Sequence, residues 1–259
     1  MAADATASLV GHNMSNRGVV VVTGAGAGIG RGCCESLADV GHPVAALGRR
    51  REKLVGYNTA GTVVAFPCDI RDRDQVTAVV EQIRRELGPV AGVVNAAGVI
   101  VEQSIDDLTI EALREQFRTN VEGTLITIQA CLADLRSTRG SIVNFSSMLT
   151  RRPLKNSAGY TATKGAVEAL TTSLALELAD DGVRVNVVLP SLVRSDIYID
   201  AGMPVLEYEQ MLEGLKSIFP LGRVGEPRDV AGIVRFLIGE ESSWMTGCAI
   251  NVDGGRSVG

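Results

Sequence analysis

The sequence predicts an α/β protein whose single domain is a doubly wound parallel sheet of about seven strands, flanked by helices on both faces. Short β-branched runs alternate with longer helical patterns along the chain. The runs are apolar at almost every position, which is typical of strands that are covered on both faces. A length of 259 residues and a hydrophobic content of 46% suit one large core.

Six apolar runs mark strands in chain order. They are GVVVVTG, HPVAALG, TVVAFPC, VAGVVNAAG, SIVNFSS and VRVNVVLP. Helical patterns fit the ranges 28–40, 72–87, 106–136, 157–181 and 226–238. We expect residues 1–17 to form a flexible tail and residues 18–259 to form the domain. The irregular stretch 191–219 is either a lid or substrate loop, or a surface excursion without a role.

Charge and composition favour a small-molecule partner. The 25 basic and 30 acidic residues leave a net charge of −5, and no basic run suggests a nucleic-acid or membrane surface. The five cysteines lack a CxxC spacing, which favours buried thiols in a reducing, cytoplasmic environment. The two histidines, His12 and His42, lie near no cluster of acids or cysteines, so no metal site is predicted. We expect a soluble protein.

The first strand leads into a glycine-rich turn that is suited to a dinucleotide. The stretch VVVVTGAGAGIGRG contains the pattern T-G-x-x-x-G-x-G, formed by Thr23, Gly24, Gly28 and Gly30. Amides at the start of a helix attract phosphate, and glycines let a pyrophosphate approach without meeting a Cβ atom. No Lys follows the last glycine, which excludes a nucleoside-triphosphate loop. The alternative is a turn whose glycines serve only tight packing.

The end of the second strand favours NADP(H) over NAD(H). An acidic residue there would bind both ribose hydroxyls and reject a 2′-phosphate. Gly48 stands at that place in VAALGRRREKL, and Arg49 and Arg50 follow it. Guanidinium groups bind phosphate by charge-assisted hydrogen bonds, although these arginines could also be a solvated helix start. Asp69 in PCDIRD is placed to reach the adenine edge, or to cap the next helix.

The stretch AGYTATKGA places a phenol and an ammonium on one face of a helix. Tyr160 and Lys164 are four residues apart, which is about one helical turn. A free tyrosine has a pKa near 10, and a nearby ammonium and a positive nicotinamide ring would both favour the phenolate. We therefore expect Lys164 to tune Tyr160 as an acid/base. A Tyr and a Lys at this spacing also occur on helices that carry no chemistry.

Together these motifs resemble the short, single-domain branch of the short-chain dehydrogenase/reductase family, which has a Rossmann-type fold. The resemblance runs from about residue 18 to about residue 255. It rests on the glycine turn, N-A-A-G from Asn95 to Gly98, Asn120 in RTNVEG, a serine after the fifth strand, and Y-x-x-x-K from Tyr160 to Lys164. The family's catalytic serine lies thirteen residues before the tyrosine, which selects Ser147 over Ser146.

The resemblance implies an NADP(H)-dependent oxidoreductase that interconverts a ketone and a secondary alcohol by hydride transfer. It assigns the general acid/base to Tyr160, a hydrogen bond to the reacting oxygen to Ser147, and the nicotinamide ribose to Lys164. Asn120 would support a water that links Lys164 to solvent. Further cofactor contacts are implied for Ile29, Ile70, Asn95, Ala96, Gly98, Pro190, Val193 and Ser195. In LPSLVRSDI, Ser191 replaces the family's usual glycine, and Ser195 replaces a threonine.

Two other functions stay open. One is a 3-oxoacyl-(carrier-protein) reductase, although Leu176 stands where such enzymes often carry an arginine, and Asp180 and Asp181 follow it. Arg136 and Arg139 could still serve an acidic carrier protein. The other is a non-catalytic protein that senses NADP, against which the intact Ser147, Tyr160 and Lys164 argue.

The substrate loop and the assembly carry two more expectations. Arg151, Arg152 and Lys155, between the serine and the tyrosine, suggest an anionic substrate as a hypothesis. Leucines cover more than one face of the Tyr160 helix, which suggests subunit contacts. Family habit points to a homo-oligomer, a tetramer or a dimer.

Overall fold

Seven parallel strands form one sheet in a computed structural model that describes residues 18–259. The predicted tail, residues 1–17, lies outside the described residues. The strands are β1 Val19–Thr23, β2 Val44–Gly48, β3 Val63–Pro67, β4 Val90–Asn95, β5 Ser141–Phe145, β6 Arg184–Pro190 and β7 Ala249–Val252. Their order in the sheet is β3-β2-β1-β4-β5-β6-β7.

Helices cover both faces of the sheet, as predicted. They are α1 Gly28–Ala38, α2 Arg73–Glu86, α3 Ile110–Phe117, α4 Gly123–Thr138, α5 Ala158–Glu177, α6 Ile197–Asp200, α7 Val205–Gly214 and α8 Pro227–Ile238. A π-helical turn, Arg118–Glu122, joins α3 to α4. The single helix expected over 106–136 is therefore two helices with a π-turn between them.

The side chains of β1 point alternately to the two faces of the sheet, and each face has its own apolar core. Val19 and Val21 point into the core that β1 shares with α2, α4 and α5, whereas Val20 and Val22 point into the core that it shares with α1 and α8. All five residues of β1 are buried, because both faces of the strand meet apolar side chains.

The order in which successive strands are added reverses beside β1, which pairs with β2 on one side and with β4 on the other. Thr23 at the end of β1 pairs with Asn95 at the end of β4, and Asn95 pairs with Asn144 of β5. In open α/β sheets, ligands bind at the carboxyl ends of the strands beside such a switch point. The predicted site residues lie along this edge.

Two elements differ from the expectation. The seventh strand, β7, was not among the six apolar runs, since it has only four residues and its side chains alternate between exposed and half-buried at the sheet edge. The stretch 191–219, expected to be irregular, contains two helices, α6 and α7. Tyr208, Leu212 and Phe219 build a small apolar core of their own there.

Four of the five cysteines are buried, and all five are free thiols. Within residues 18–259, no helix combines the length and the apolar character needed to cross a bilayer.

Candidate active site

The glycine-rich turn between β1 and α1 is closed by contacts that leave no room for side chains. The Thr23 hydroxyl is buried and accepts a hydrogen bond from the backbone N–H of Ala97, 3.1 Å away, which ties the turn to the end of β4. A Cβ atom at Gly30 would lie 2.3 Å from the carbonyl oxygen of Gly24. Gly28 has a φ of +51°, and a Cβ there would lie 2.6 Å from the Cβ of Ser195.

Arg50 and Asp69, two of the residues expected at the adenosine end, have protein partners. Arg49 and Arg50 are both exposed, and Arg50 donates two hydrogen bonds to Asp200. Asp69 forms an ion pair with Arg71 at 2.6 Å, and this arginine lowers the pKa of Asp69. Asp69 does not cap the next helix, because Asp72 occupies that position and accepts from the N–H groups of Asp74 and Gln75.

Ser147 and Tyr160 meet at the carboxyl end of β5. The backbone N–H of Leu149 donates to the Ser147 hydroxyl at 3.2 Å. The Ser147 side chain lies beside the Tyr160 phenol and acts to lower the pKa of Tyr160. The neighbouring Ser146 points elsewhere, since its hydroxyl donates to Glu168 at 2.7 Å. The structure therefore pairs Ser147, not Ser146, with Tyr160.

Lys164 lies one turn further along α5, beneath the phenol. Its Nζ atom is 5.5 Å from the centroid of the Tyr160 ring and donates to the carbonyl oxygen of Phe145 at 2.9 Å. The residue is only 5% exposed, and this burial lowers the pKa of Lys164 to about 8. A buried ammonium this close to the phenol is the arrangement that the Y-x-x-x-K spacing predicts.

The pKa of Tyr160 differs from the expectation. It is raised above the ordinary value, chiefly because burial disfavours the phenolate, and Tyr198 nearby adds to the rise. The hydrogen bond from Ser147 acts in the opposite direction. The surrounding side chains thus keep the phenol neutral, and the ammonium of Lys164 does not by itself offset the burial.

Asn120 lies in the π-turn and connects three elements. Its Nδ2 atom donates to the carbonyl of Val99 and to the hydroxyl of Thr163, both at 3.0 Å, and its Oδ1 atom accepts from the N–H of Val99 at 2.9 Å. The side chain therefore holds the loop after β4 against α5. Such single-turn π-bulges are frequent at functional sites.

A buried polar chain behind the site was not predicted. Asn95 donates to Asn144 at 2.9 Å, and Asn144 donates to the hydroxyl of Thr171 at 2.9 Å. All three are almost fully buried. The signal for this chain was the asparagine within the apolar run SIVNFSS, because a buried polar residue in a strand needs a partner.

The other residues expected at the cofactor lie along the same edge. Ile29, Ala96 and Val193 pack against the α1/α8 core, and Ile70 packs into the opposite core. Pro190 ends β6, and the backbone N–H of Ser195 donates to the Tyr208 hydroxyl at 2.9 Å. These side chains mainly build the scaffold at this edge, and the cofactor contacts expected of them stay a prediction.

The basic loop residues are mostly engaged. Arg151 forms an ion pair with Glu168 at 2.6 Å, and Arg152 donates to the carbonyl oxygen of Arg256 at 2.9 Å. Lys155 is exposed. Two of the three cations that suggested an anionic substrate therefore have protein partners.

The arrangement fits a nicotinamide dinucleotide. An ammonium has three N–H donors, and within the described residues Lys164 uses one of them, for Phe145. A Cβ atom at Gly98 would lie 3.6 Å from Lys164 Nζ, so the glycine keeps this side of the ammonium open. The glycine turn and the ends of β1 and β4 complete the edge where a dinucleotide binds in such sheets.

Comparisons with known proteins agree with this geometry. The sequence model of a family described as enoyl-(acyl carrier protein) reductase matches residues 24–257. An uncharacterised oxidoreductase of Methylorubrum extorquens is 38% identical over 92% of this chain and 96% of its own length. The 3-oxoacyl-[acyl-carrier-protein] reductase of Mus musculus is 34% identical over 93% of this chain and 98% of its own.

A solved structure gives the same result. The ligand-free aldohexose dehydrogenase of Thermoplasma acidophilum is 30% identical, with a TM-score of 0.84 over 94% of this chain and 95% of that one. The glycine turn, the Ser147, Tyr160 and Lys164 cluster and these matches lead to one conclusion: the chain belongs to the short-chain dehydrogenase/reductase family, oxidoreductases that act on alcohols and ketones with a nicotinamide cofactor.

Proposed function

We propose that this protein is an NADP(H)-dependent carbonyl reductase or alcohol dehydrogenase with Tyr160 as its general acid/base. The observation that supports it most is the position of the buried Lys164 ammonium, 5.5 Å from the centroid of the Tyr160 ring, with Ser147 close enough to the phenol to lower its pKa. Two hydroxyl groups that meet at a strand end can together bind one substrate oxygen. A buried ammonium beside them stabilises negative charge on that oxygen or on the phenol.

A bound nicotinamide cofactor would supply or take up the hydride. In the reductive direction, Tyr160 gives its proton to the carbonyl oxygen, and Ser147 donates a hydrogen bond to the same oxygen as charge develops on it. In the oxidative direction, the phenolate of Tyr160 removes the proton of the alcohol. Lys164 would hold the nicotinamide ribose with its remaining donors, and Asn120 fixes the loop that borders Lys164.

The preference for NADP(H) is part of the proposal. Gly48 ends β2 without a carboxylate that would reject a 2′-phosphate, and Arg49 and Arg50 follow directly. The exposed Arg49 is available to a phosphate, and the fork of a guanidinium matches phosphate oxygens. We therefore expect turnover with NADPH and little with NADH.

The test is consumption of NADPH and NADH with a panel of aliphatic, aromatic, keto-ester and carboxylated ketones. Tyr160→Phe should abolish turnover while NADPH still binds, as measured by the fluorescence of the reduced ring. Ser147→Ala should lower kcat by about 10² or more, because it removes a donor to the developing charge. Ser146→Ala is the matched control and should keep most activity. If Tyr160→Phe retains turnover, the acid/base assignment is wrong.

A second candidate is reduction of a 3-oxoacyl group on a carrier protein, which the name of the mouse relative favours. The surface offers limited support, since Leu176 is 83% exposed and Arg136 is paired with Asp181 at 2.8 Å. A carrier-bound 3-oxoacyl thioester and the same acyl group on a short thiol separate the two functions. A large preference for the carrier-bound form would favour the reductase. If the protein binds NADPH but reduces neither thioester and none of the ketones, it would be the non-catalytic NADP-sensing protein.

A further inference from the structure

Two ion pairs connect the segment that follows β2 to the two ends of α6. The Arg50 guanidinium donates to both carboxylate oxygens of Asp200, at 2.8 and 2.6 Å. The Lys53 ammonium is paired with Asp196. The partners lie far apart in sequence, so the pairs hold two distant segments together. We call these four residues the strap.

The strap lies against the glycine-rich turn. A Cβ atom at Gly26 would lie 3.0 Å from the Cβ of Lys53, on one side of the turn. A Cβ atom at Gly28 would lie 2.6 Å from the Cβ of Ser195, the residue before Asp196. The segments that carry the strap therefore both contact the turn at which a dinucleotide is expected to bind.

The chemistry of the strap matches that of a phosphate site. An arginine that binds a carboxylate through two parallel hydrogen bonds offers the same fork to a phosphate. Asp200 thus fills the position on Arg50 that a 2′-phosphate would need. The Arg50 and Asp200 side chains are 46% and 43% exposed, so the pair is open to an incoming anion. Exposed pairs of this kind are weak, and one phosphate with about two negative charges can displace a carboxylate.

We propose that Asp200, with Asp196, is a cofactor-selectivity residue that competes with the 2′-phosphate for the cations after β2. A ligand with a 2′-phosphate takes Arg50 and releases α6 from the end of β2, whereas a ligand without one leaves the strap closed. Cofactor choice is thereby linked to the position of the 191–219 segment, which carries α6 and α7. This inference rests on the proposed preference for NADP(H).

The first test measures binding of 2′,5′-ADP and 5′-AMP by calorimetry, since these probes differ only in the 2′-phosphate and require no turnover. Asp200→Asn should bind 2′,5′-ADP about two- to five-fold more tightly than the wild type, which is the range for loss of an exposed competing pair, and should bind 5′-AMP unchanged. The matched control is Asp181→Asn, which breaks the exposed pair with Arg136 on another surface. It should alter neither affinity.

The second test is amide hydrogen exchange in the full chain. In the wild type, 2′,5′-ADP should accelerate exchange within 197–214, and 5′-AMP should not. In Asp200→Asn, exchange there should be fast without any ligand. Equal wild-type affinity for the two probes would overturn both the NADP(H) preference and the strap. A wild-type preference for 2′,5′-ADP that Asp200→Asn leaves unchanged would overturn the strap alone.

Discussion

Replacing Lys164 with methionine should stabilise the folded protein at neutral pH while abolishing activity. Burial lowers the pKa of Lys164 from 10.5 to about 8, so the folded state binds this proton less tightly than the unfolded state does. The charged lysine therefore destabilises the fold at every pH below about 8. The gap between the two pKa values corresponds to about 3 kcal/mol, at about 1.4 kcal/mol per pKa unit. Methionine has a similar length and no charge.

Part of this gain is lost with the hydrogen bond to the Phe145 carbonyl, which contributes about 1 kcal/mol. The net increase in the free energy of unfolding is then about 2 kcal/mol, or a rise in Tm of about 4–8 °C for a protein of this size. Urea denaturation measures it directly. Lys155→Met, at an exposed lysine, is the matched control and should change stability little.

The pH dependence separates this explanation from general repacking. Between about pH 8 and pH 10.5 the folded state has released the Lys164 proton while the unfolded state still holds it, so the wild type gains stability as the pH rises. The advantage of Lys164→Met should therefore shrink from about pH 7 to about pH 10. A variant that is less stable than the wild type at neutral pH, or an advantage that stays constant with pH, would refute the reasoning.

Three further changes test the scaffold, each by urea denaturation. Gly28→Ala should lower the free energy of unfolding by about 2–4 kcal/mol, because the new Cβ atom would collide with Ser195 at a position that already has a positive φ. Gly56 also has a positive φ but has open space around it, so Gly56→Ala should lower the free energy of unfolding by only about 1 kcal/mol. Asn144→Ala should cost about 2–4 kcal/mol, since it leaves its buried partners unpaired. Hydrogen bonds from Arg223 lower the pKa of Asp229 from 3.8 to about 2, so the advantage of the wild type over Asp229→Asn should disappear as the pH falls through that interval.

The sheet was predictable because its strands are buried on both faces. Such strands appear as unbroken apolar runs, and Val19 to Val22 fill both cores in alternation. β7 was missed because it is an edge strand that pairs only with β6, and its exposed and half-buried side chains do not form an unbroken apolar run. In 191–219, the spacing of Tyr208, Met211, Leu212 and Leu215 indicates a helix, but the acids between them obscured it.

Within the site, short-range relations were predictable and long-range ones were not. The spacing of Tyr160 and Lys164 on one helix follows from helical geometry, and the structure places both beside Ser147. The partner of Arg50 is Asp200, 150 residues away, and no local pattern connects them. The pKa of Tyr160 depends on how much protein surrounds the phenol, which spacing does not reveal.

Burial shifts the pKa values of Tyr160 and Lys164 in opposite directions, raising the first and lowering the second. Burial disfavours the phenolate and the ammonium alike, so each residue on its own moves toward its neutral form. The ammonium can stabilise a phenolate only while it remains charged, and within the described residues one carbonyl, that of Phe145, accepts from it. Any group that accepts from the remaining donors of Lys164 raises its pKa and so makes Tyr160 easier to deprotonate. The neutral phenol can protonate a carbonyl oxygen, whereas removing a proton from an alcohol requires the phenolate, which the charged ammonium of Lys164 would stabilise.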